Sequence, residues 1–300
     1  MSEPRPTLDQ LHVFLAIVEA GSFAAAARRL GRATSVISYT IANLEAQLGL
    51  ELFDRQGTRK PTLTEAGRAI LSDSRTVAMG LDGLVAKVRG LHQGLEAEVA
   101  LVVDVMLPTA QLVSVLDGFR ATFPTVALRL QVETFGAVAH LVQTGVANVG
   151  ISGPLLARAD ELTFEPIGAV RLIPVAAPGH PLALLGDGIS AEAARHHIQL
   201  VLTDRSELTR GQDFAVMALR TWRLADLGAK HALLRAGVGW GSMPEAMVAE
   251  DIAAGRLMRL PLKNWDQVGF LLQVVHRIDT PPGPAARWLV EQFRLAGRNF

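Results

Sequence analysis

One stretch in the first third of the chain carries side chains suited to reading nucleic acid. A helix is predicted from Thr34 or Ser35 to Leu48, and the face opposite its apolar positions consists of Ser35, Ser38, Tyr39, Ala42 and Asn43. Hydroxyl and amide groups can bond base edges and phosphates, and small side chains allow close approach. Because a solvated face normally carries Glu and Lys, this face predicts contact with DNA. The alternative is a generic packing unit of three helices.

Two further helices are predicted to position that face. Apolar residues at helical spacing indicate a first helix that ends at Gly21, and Ser22 is a suitable N-cap for a second. A short turn at Gly31 leads into the third helix. Its predicted buried positions are Ile37, Ile41, Leu44 and Leu48. Two helices joined by a short turn that contains Gly are typical of a helix-turn-helix.

A basic hairpin is predicted after the third helix. Residues 50–53 alternate like a strand, residues 55–61 are rich in cations, and residues 62–64 return as a second strand. A hairpin tipped by Arg59 and Lys60 predicts a wing that contacts phosphates or a minor groove, and a solvated basic loop is the alternative. Residues 28–68 hold seven basic and four acidic residues, whereas residues 93–300 hold 18 and 20. The positive charge therefore lies early in a chain whose net charge is zero.

Residues 11–67 resemble the DNA-binding domain of the LysR-type transcriptional regulators. The matching positions are Phe14, Ser22-Phe23, Ala26-Ala27, Leu30, Ser38, Ile41, Leu44-Glu45, Leu48-Gly49, Leu52-Phe53, Arg55 and Leu63-Thr64-Glu65-Ala66-Gly67. The family usually opens its recognition helix with Ser-Gln-Pro or Ser-Gln-Ser, where this chain has Ala33-Thr34-Ser35. We therefore expect the family's binding mode with a different sequence preference. The residues predicted to bind DNA are Ser22, Arg32, Thr34, Ser35, Ser38, Tyr39, Asn43, Arg55, Arg59 and Lys60.

A long helix is predicted to follow Thr64 and to end in a hinge at 92–94. Its apolar stripe consists of Ile70, Val77, Leu81, Leu84, Val88 and Leu91. A seven-residue apolar repeat on a single helix requires a partner helix, although the stripe could also pack on the chain's own core. The resemblance implies that this is a dimerisation helix, in a homodimer or a homotetramer. Two recognition helices in one assembly would bind an interrupted palindrome of double-stranded DNA.

From Glu98 onward the chain alternates strands with helices. A βαβαβ order over 99–152 predicts a parallel sheet covered by helices, and a second α/β unit follows it. The predicted fold is an N-terminal winged helix-turn-helix (1–67), a linker helix and hinge (68–93), and a C-terminal α/β domain of two Rossmann-like lobes (94–300). Lobe I spans about 94–165 and 268–300, and lobe II about 166–267. This half resembles the effector-binding domain of the same family, which is similar to type 2 periplasmic binding proteins.

Two adjoining lobes create a cleft where a small-molecule effector is expected to bind. The residues predicted to line it are Asp104, Met106, Thr109, Ser152, Thr203 and Trp240. Asp104 has two interpretations. It complements the N-terminus of the helix that starts near Pro108, or it occupies the position of an anionic ligand, so that the effector is neutral or cationic.

Several function classes are excluded or disfavoured. The absence of cysteine excludes disulfides and thiolate chemistry, and no catalytic constellation, cofactor loop or metal site stands out. No signal peptide or membrane span is predicted, so a cytoplasmic protein is expected. The prediction is a LysR-type regulator that senses an effector, with RNA polymerase as a further partner and no enzymatic activity. The alternative is a solute-binding protein without a regulatory role.

Overall fold

A computed structural model describes residues 5–54, 61–154, 160–203, 206, 215–263, 265 and 269–298. The chain divides into two compact units, which we call the N-terminal unit (Met1–Arg89) and the C-terminal unit (Gly90–Phe300). Most of the predicted linker helix therefore belongs to the N-terminal unit. Within the described residues, no single helix is long and apolar enough to cross a membrane, and only the first two helices together reach that hydropathy, across a bend of 119°.

Three helices begin the N-terminal unit as predicted: α1 (Leu8–Ala20), α2 (Phe23–Leu30) and α3 (Thr34–Leu48). Thr7 and Gln10 form a capping box at the start of α1, and the Ser22 hydroxyl caps α2. Gly31 has a φ of 65° in the turn between α2 and α3. This left-handed conformation favours glycine, and it lets α3 leave at a new angle.

A small apolar core holds these helices against a short hairpin. Strands β1 (Phe53–Asp54) and β2 (Thr62–Leu63) pair antiparallel, with Phe53 opposite Leu63. The Phe53 ring lies 5.5 Å from the rings of both Phe14 and Phe23. Residues 55–60, which contain the predicted wing residues Arg55, Arg59 and Lys60, lie outside the described residues.

Helix α4 (Glu65–His92) begins in direct contact with the hairpin. Thr64 caps it, since its Oγ1 accepts a hydrogen bond from the Gly67 N–H at 2.9 Å and donates to the Glu51 carbonyl at 2.6 Å. A Cβ at Gly67 would lie 2.3 Å from the Leu52 carbonyl oxygen and 2.9 Å from Leu63 Cδ2. The missing side chain therefore permits this close approach of helix and hairpin.

The first part of the C-terminal unit is the predicted parallel βαβαβ. Its elements in chain order are β3 (Glu98–Asp104), α5 (Thr109–Thr122), β4 (Ala127–Glu133), α6 (Gly136–Gln143) and β5 (Val149–Ser152). Strand β3 lies between β4 and β5, and its residues from Val99 onward are buried. The carboxyl ends of these strands face the region where lobe II begins.

Two long strands connect the lobes. Strand β6 (Leu162–Ala176) pairs antiparallel with β11 (Gly269–Arg277), and a β-bulge lies between Leu272 and Gln273. In the sequence, only the second half of β6, Arg171–Ala176, has a strand-like pattern. Pro166 and Gly168 interrupt the strand pattern of the first half, but Pro166 lies at the bulge, where a missing N–H is tolerated.

Lobe II completes a sheet with the strand order β4-β3-β5-β11-β6-β9-β7-β8. Its elements are a 3₁₀ turn (Ala183–Leu185), α7 (Ala191–Arg195), β7 (Gln199–Leu202), β8 (Thr221–Leu224), α8 (Leu227–Arg235), β9 (Trp240–Pro244), α9 (Glu245–Ala253) and β10 (Met258–Arg259), which pairs with β6. Helix α10 (Pro284–Gly297) follows β11. Strands β8 and β10 were not predicted, because both are short and largely exposed and therefore lack a clear apolar pattern.

We expect Gly67→Ala to lower the stability of the N-terminal unit, because the new methyl group would overlap the Leu52 carbonyl oxygen and force α4 away from the hairpin. A loss of about 1–3 kcal/mol is typical of overpacking. Gly83→Ala in the same helix is the matched control. A Cβ there meets nothing within 4 Å, so it should stabilise the helix by about 0.5–1 kcal/mol. Urea unfolding followed by circular dichroism measures both, and equal effects would contradict the close approach.

Candidate nucleic-acid interface and ligand cavity

Helix α3 separates an apolar face from a polar one. Ile37, Ile41 and Leu44 are completely buried, while Leu48 is partly buried. On the other side, Tyr39 is 69% exposed, Ser35 and Ala42 are exposed, and Ser38 and Asn43 are partly exposed. Thr34, where the family usually has Gln, is exposed in the first turn. The predicted polar face is therefore available to a partner.

The single acidic residue of α3 points away from that face. Glu45 Oε1 accepts hydrogen bonds from the backbone N–H groups of Leu52 at 2.8 Å and Phe53 at 3.3 Å. The carboxylate thus fixes the end of α3 to the first strand of the hairpin. This placement removes a negative charge from the surface that would approach phosphates.

Two other predicted DNA-binding residues have partners within the N-terminal unit. The Ser22 hydroxyl accepts from the Ala25 N–H at 3.1 Å and so fixes the start of α2. Arg32 forms a bidentate ion pair with Asp9, at 2.7 and 2.9 Å. The guanidinium of Arg32 lowers the pKa of Asp9. Sequence reasoning missed this pair because its members are 23 residues apart.

Most of the predicted dimerisation stripe is exposed. Side chains at spacings of four, three, four and three residues along α4 are exposed by between 38% and 59%: Val77, Leu81, Leu84, Val88 and Leu91. This spacing is that of coiled-coil a and d positions. The apolar surface continues onto α1, where Leu8 and Leu11 border the same depression as Val77 and Leu81.

Ile70 departs from the prediction. It is partly buried and packs against the core of the N-terminal unit, next to Leu71 and Ala78. The reason is that the first turns of α4 lie against that core, so the seven-residue repeat continues into an intrachain contact. Ile70 is therefore corrected to a core residue, and the stripe begins at Val77.

The C-terminal unit contains a cavity of about 330 Å³ between segments of both lobes. Its walls are mainly apolar and include Met106, Phe135, Leu172, Leu200, Trp265 and Phe270. Polar side chains of Gln199, Lys230 and Ser242 also line it. A concave, mostly apolar site with a few polar groups is typical of small-molecule binding.

Of the six predicted effector residues, Met106 lines this cavity. Thr203 and the exposed Thr109 are not among its described lining residues. Ser152 is completely buried, and its hydroxyl donates to the Gly153 carbonyl at 3.0 Å. Trp240 is also completely buried and belongs to a separate core cluster of lobe II. These side chains serve the fold around the cavity.

Asp104 is buried and does not line the cavity either. Its carboxylate accepts hydrogen bonds from the N–H groups of Met106 and Phe135, both at 2.9 Å. Phe135 is the N-cap residue of α6. The carboxylate therefore complements the start of α6, whereas we expected the helix that follows Pro108. The expectation that Asp104 replaces an anionic ligand loses its geometric basis.

Lys230 is a cavity residue that the sequence analysis missed. It is 2% exposed, and burial lowers the pKa of its ammonium from 10.5 to about 8. Its position could have been found, because it lies three residues after Leu227 and four before Leu234, the two buried apolar residues of α8. A lysine on the buried stripe of a helix is a signal for function.

Glycine 241 makes room for this lysine. A Cβ at Gly241 would lie 3.2 Å from Lys230 Cε and 2.7 Å from the Leu200 carbonyl oxygen. Gly241 lies in β9, and its missing side chain therefore lets the stem of Lys230 pass close to this strand.

Replacing Lys230 by Met should raise the free energy of unfolding of the C-terminal unit at pH 7 by up to about 3 kcal/mol. A folded-state pKa of about 8 means that the buried ammonium destabilises the fold. The gain should be constant below pH 8 and shrink as pH rises towards 10.5, where the folded lysine is neutral but the unfolded one still binds a proton.

Urea unfolding can be followed through the fluorescence of the four tryptophans, which all lie within residues 222–288. The exposed Lys263, replaced by Met, is the matched control and should change stability by less than about 0.5 kcal/mol. A gain for Lys230→Met that grows above pH 8 would contradict the buried charge.

Comparison with protein families identifies both halves of the chain. Residues 8–68 match "Bacterial regulatory helix-turn-helix protein, lysR family", and residues 92–297 match "LysR substrate binding domain". The regulator YhaJ of Escherichia coli K12 is 28% identical over 271 residues, which cover 89% of each chain. The activator AllS of Salmonella typhimurium LT2 is 30% identical over 245 residues, 80% of this chain and 78% of AllS.

Solved structures show the same fold over the whole length. Full-length LysG of Corynebacterium glutamicum has a TM-score of 0.52 at 20% identity and covers 98% of this chain and 99% of its own. The relatives are regulators and not solute-binding proteins, so the alternative of a solute-binding protein is set aside. The chain belongs to the LysR family of bacterial helix-turn-helix regulators and is a transcriptional regulator that combines a DNA-binding domain with an effector-binding domain.

Proposed function

We propose that this regulator binds an interrupted palindrome as a homodimer or homotetramer, with one α3 helix in the major groove of each half-site. The observation that carries the proposal is the exposed polar face of α3 around Tyr39, from which Glu45 is turned away. A phenol and an amide at Asn43 can each bond base edges.

The ion pair with Asp9 supports a role for Arg32 in positioning α3 on the DNA. A guanidinium held by a carboxylate has a fixed direction, and its remaining N–H groups are free to bond a phosphate oxygen. The hydroxyl of Ser22 can also donate to a phosphate, because in its capping bond it acts as acceptor. The predicted contacts of Arg55, Arg59 and Lys60 with phosphates complete the interface.

We further propose that α4 supplies the dimer contact through the stripe from Val77 to Leu91. Five partly exposed apolar side chains in coiled-coil register cannot bury each other on one helix, so a second copy of the helix is the simplest cover. A dimer also fixes the distance between two recognition helices and thereby selects the spacing of half-sites.

The cavity between the lobes is the proposed effector site. LysG of Corynebacterium glutamicum has been solved with its effector arginine bound. In our chain, cavity walls come from both lobes and from the connecting strands, so a ligand would shift the balance between lobe arrangements and hence DNA geometry. Regulation at a promoter would then act on RNA polymerase, which is a further partner of the regulator.

Selection of binding sites from random duplex DNA tests the assignment of α3. Tyr39→Ala should change which sequence is selected, because a lost base contact costs about 1–3 kcal/mol. Arg32→Ala should weaken binding similarly for all sequences and reduce the slope of log K against log salt by about 0.9 per lost phosphate contact.

Arg120→Ala is the control for the charge change, since Arg120 is also an exposed arginine paired with an aspartate, Asp117 at 2.8 Å. It should retain the wild-type affinity and salt slope. Selection of an unchanged consensus by Tyr39→Ala would show that α3 does not read the bases in this way.

The double substitution Val77→Asp and Leu84→Asp tests the assembly. Both positions are exposed in the single chain, so the variant should fold, but charges placed in a dimer contact cost several kcal/mol. We expect light scattering to show a smaller species. Met79→Asp, at a position that is 64% exposed outside the stripe, should keep the wild-type mass. An unchanged mass of the double variant would place the contact elsewhere.

A further inference from the structure

The ammonium of Lys230 lacks a partner in the part of the cavity that the structure describes. The side chain is 2% exposed, and among the described residues no carboxylate, carbonyl or hydroxyl accepts a hydrogen bond from its Nζ. A buried charge without a partner is costly, and native proteins retain such groups where a ligand or reaction uses them. Lys230 is therefore a group whose partner is expected to arrive from outside.

The other polar groups of the cavity define where that partner would bind. Gln199 is already used, because its Nε2 donates to the Ala215 carbonyl at 2.7 Å and its Oε1 accepts from the N–H groups of Met217 and Ala218. Ser242 follows Gly241, over which the lysine stem passes, and also lines the cavity. Lys230 and Ser242 are thus the remaining polar residues among the described lining of an otherwise apolar space.

We propose that Lys230 binds the anionic group of the effector, and that the effector is an apolar monocarboxylate whose hydrocarbon body fills the rest of the cavity. This inference rests on the proposed function of the cavity as the effector site. It extends that function by the charge and chemical class of the ligand and by the residue that recognises them.

The lining chemistry selects a single negative charge. No acidic side chain is among the described residues that line the cavity, and Asp104 is satisfied by two backbone N–H groups outside it. A carboxylate can accept charge-assisted hydrogen bonds from the Lys230 ammonium. A second carboxylate would face the apolar walls, where its desolvation has no compensation, and a cation would be repelled by Lys230.

The position of Lys230 also connects anion binding to the arrangement of the lobes. Lys230 and Ser242 belong to α8 and β9 of lobe II, whereas Met106 and Phe135 belong to lobe I. A carboxylate held in lobe II places its hydrocarbon body against lobe I and against Phe270 of the connecting strand β11. The same ligand therefore contacts both lobes, as a change of their arrangement requires.

The experiment compares acids with their amides on the full-length protein. Straight-chain monocarboxylates from butyrate to octanoate, and the primary amide of each, are titrated by calorimetry and by the fluorescence of the tryptophans, since Trp265 lines the cavity. We expect at least one chain length to bind as the acid and about 10- to 100-fold more weakly as the amide, the effect of one charge-assisted hydrogen bond.

Lys230→Met should remove that preference, so that acid and amide bind equally, while Lys263→Met should keep it. Lys230→Met and Lys230→Gln are compared so that a packing change in one variant is not mistaken for loss of charge. Equal binding of acids and amides by the wild type, absence of acid binding at every chain length, or an acid preference that survives in both Lys230 variants would each overturn the inference.

Selection of DNA sites by the ligand-free wild type is measured in parallel. If the ligand-free wild type binds DNA sequence-specifically but the acids do not bind better than their amides, the anion assignment is overturned and the proposed function stays intact. If the wild type shows no sequence-specific DNA binding, the proposed function is contradicted, whatever the titrations with acids and amides show.

Discussion

The antiparallel pairing of β6 with β11 is the interaction on which the C-terminal unit depends. Strands β5, β3 and β4 attach on the β11 side, and β9, β7 and β8 attach on the β6 side, so this pair is the only bridge in the described sheet between the two lobes. A β-bulge lies within this pair, with Ile167 as the extra residue between Pro166 and Gly168, and a bulge bends the strand that contains it. Helix α10 then packs so closely that a Cβ at Gly297 would lie 2.0 Å from the Ile167 carbonyl oxygen. The cavity exists because this bent pair supplies Leu172 and Phe270 between walls from either lobe.

Two of the functional surfaces share one property, which is that folding leaves a group without a suitable partner. The stripe of α4 leaves apolar side chains in contact with water, and the cavity leaves an ammonium among apolar walls. Each deficiency specifies its partner, since an apolar stripe requires a matching stripe and a buried cation requires an anion. The polar face of α3 is different, because water satisfies it, and its information lies in the absence of acidic groups and the exposure of Tyr39.

The helices of the N-terminal unit could be predicted closely from sequence because their signals are local. Ser22, Gly21, Gly31 and Gly49 cap or end helices through contacts within a few residues. Features that depend on distant pairing could not be predicted in this way. The first half of β6 becomes a strand through β11, about a hundred residues later, and Ile70 becomes a core residue through packing against helices that precede it. The residues that line the cavity were largely missed for the same reason, since a cavity is built from many segments.

Asp104 and Lys230 show why the chain order alone does not give the charge of the cavity. In α/β folds, ligands bind beyond the carboxyl ends of the strands. An aspartate at the end of a central strand therefore predicts a ligand contact, whereas a lysine in a later helix does not. The electrostatic potential in a cavity, however, depends on which charged groups already have partners within the protein. Two N–H groups stabilise the Asp104 carboxylate, one of them from the start of α6, whereas Lys230 has no partner among the described residues and burial lowers its pKa to about 8. At neutral pH such a lysine remains largely protonated, so the cavity is positive, and an anion that enters it satisfies the group that the fold leaves unsatisfied.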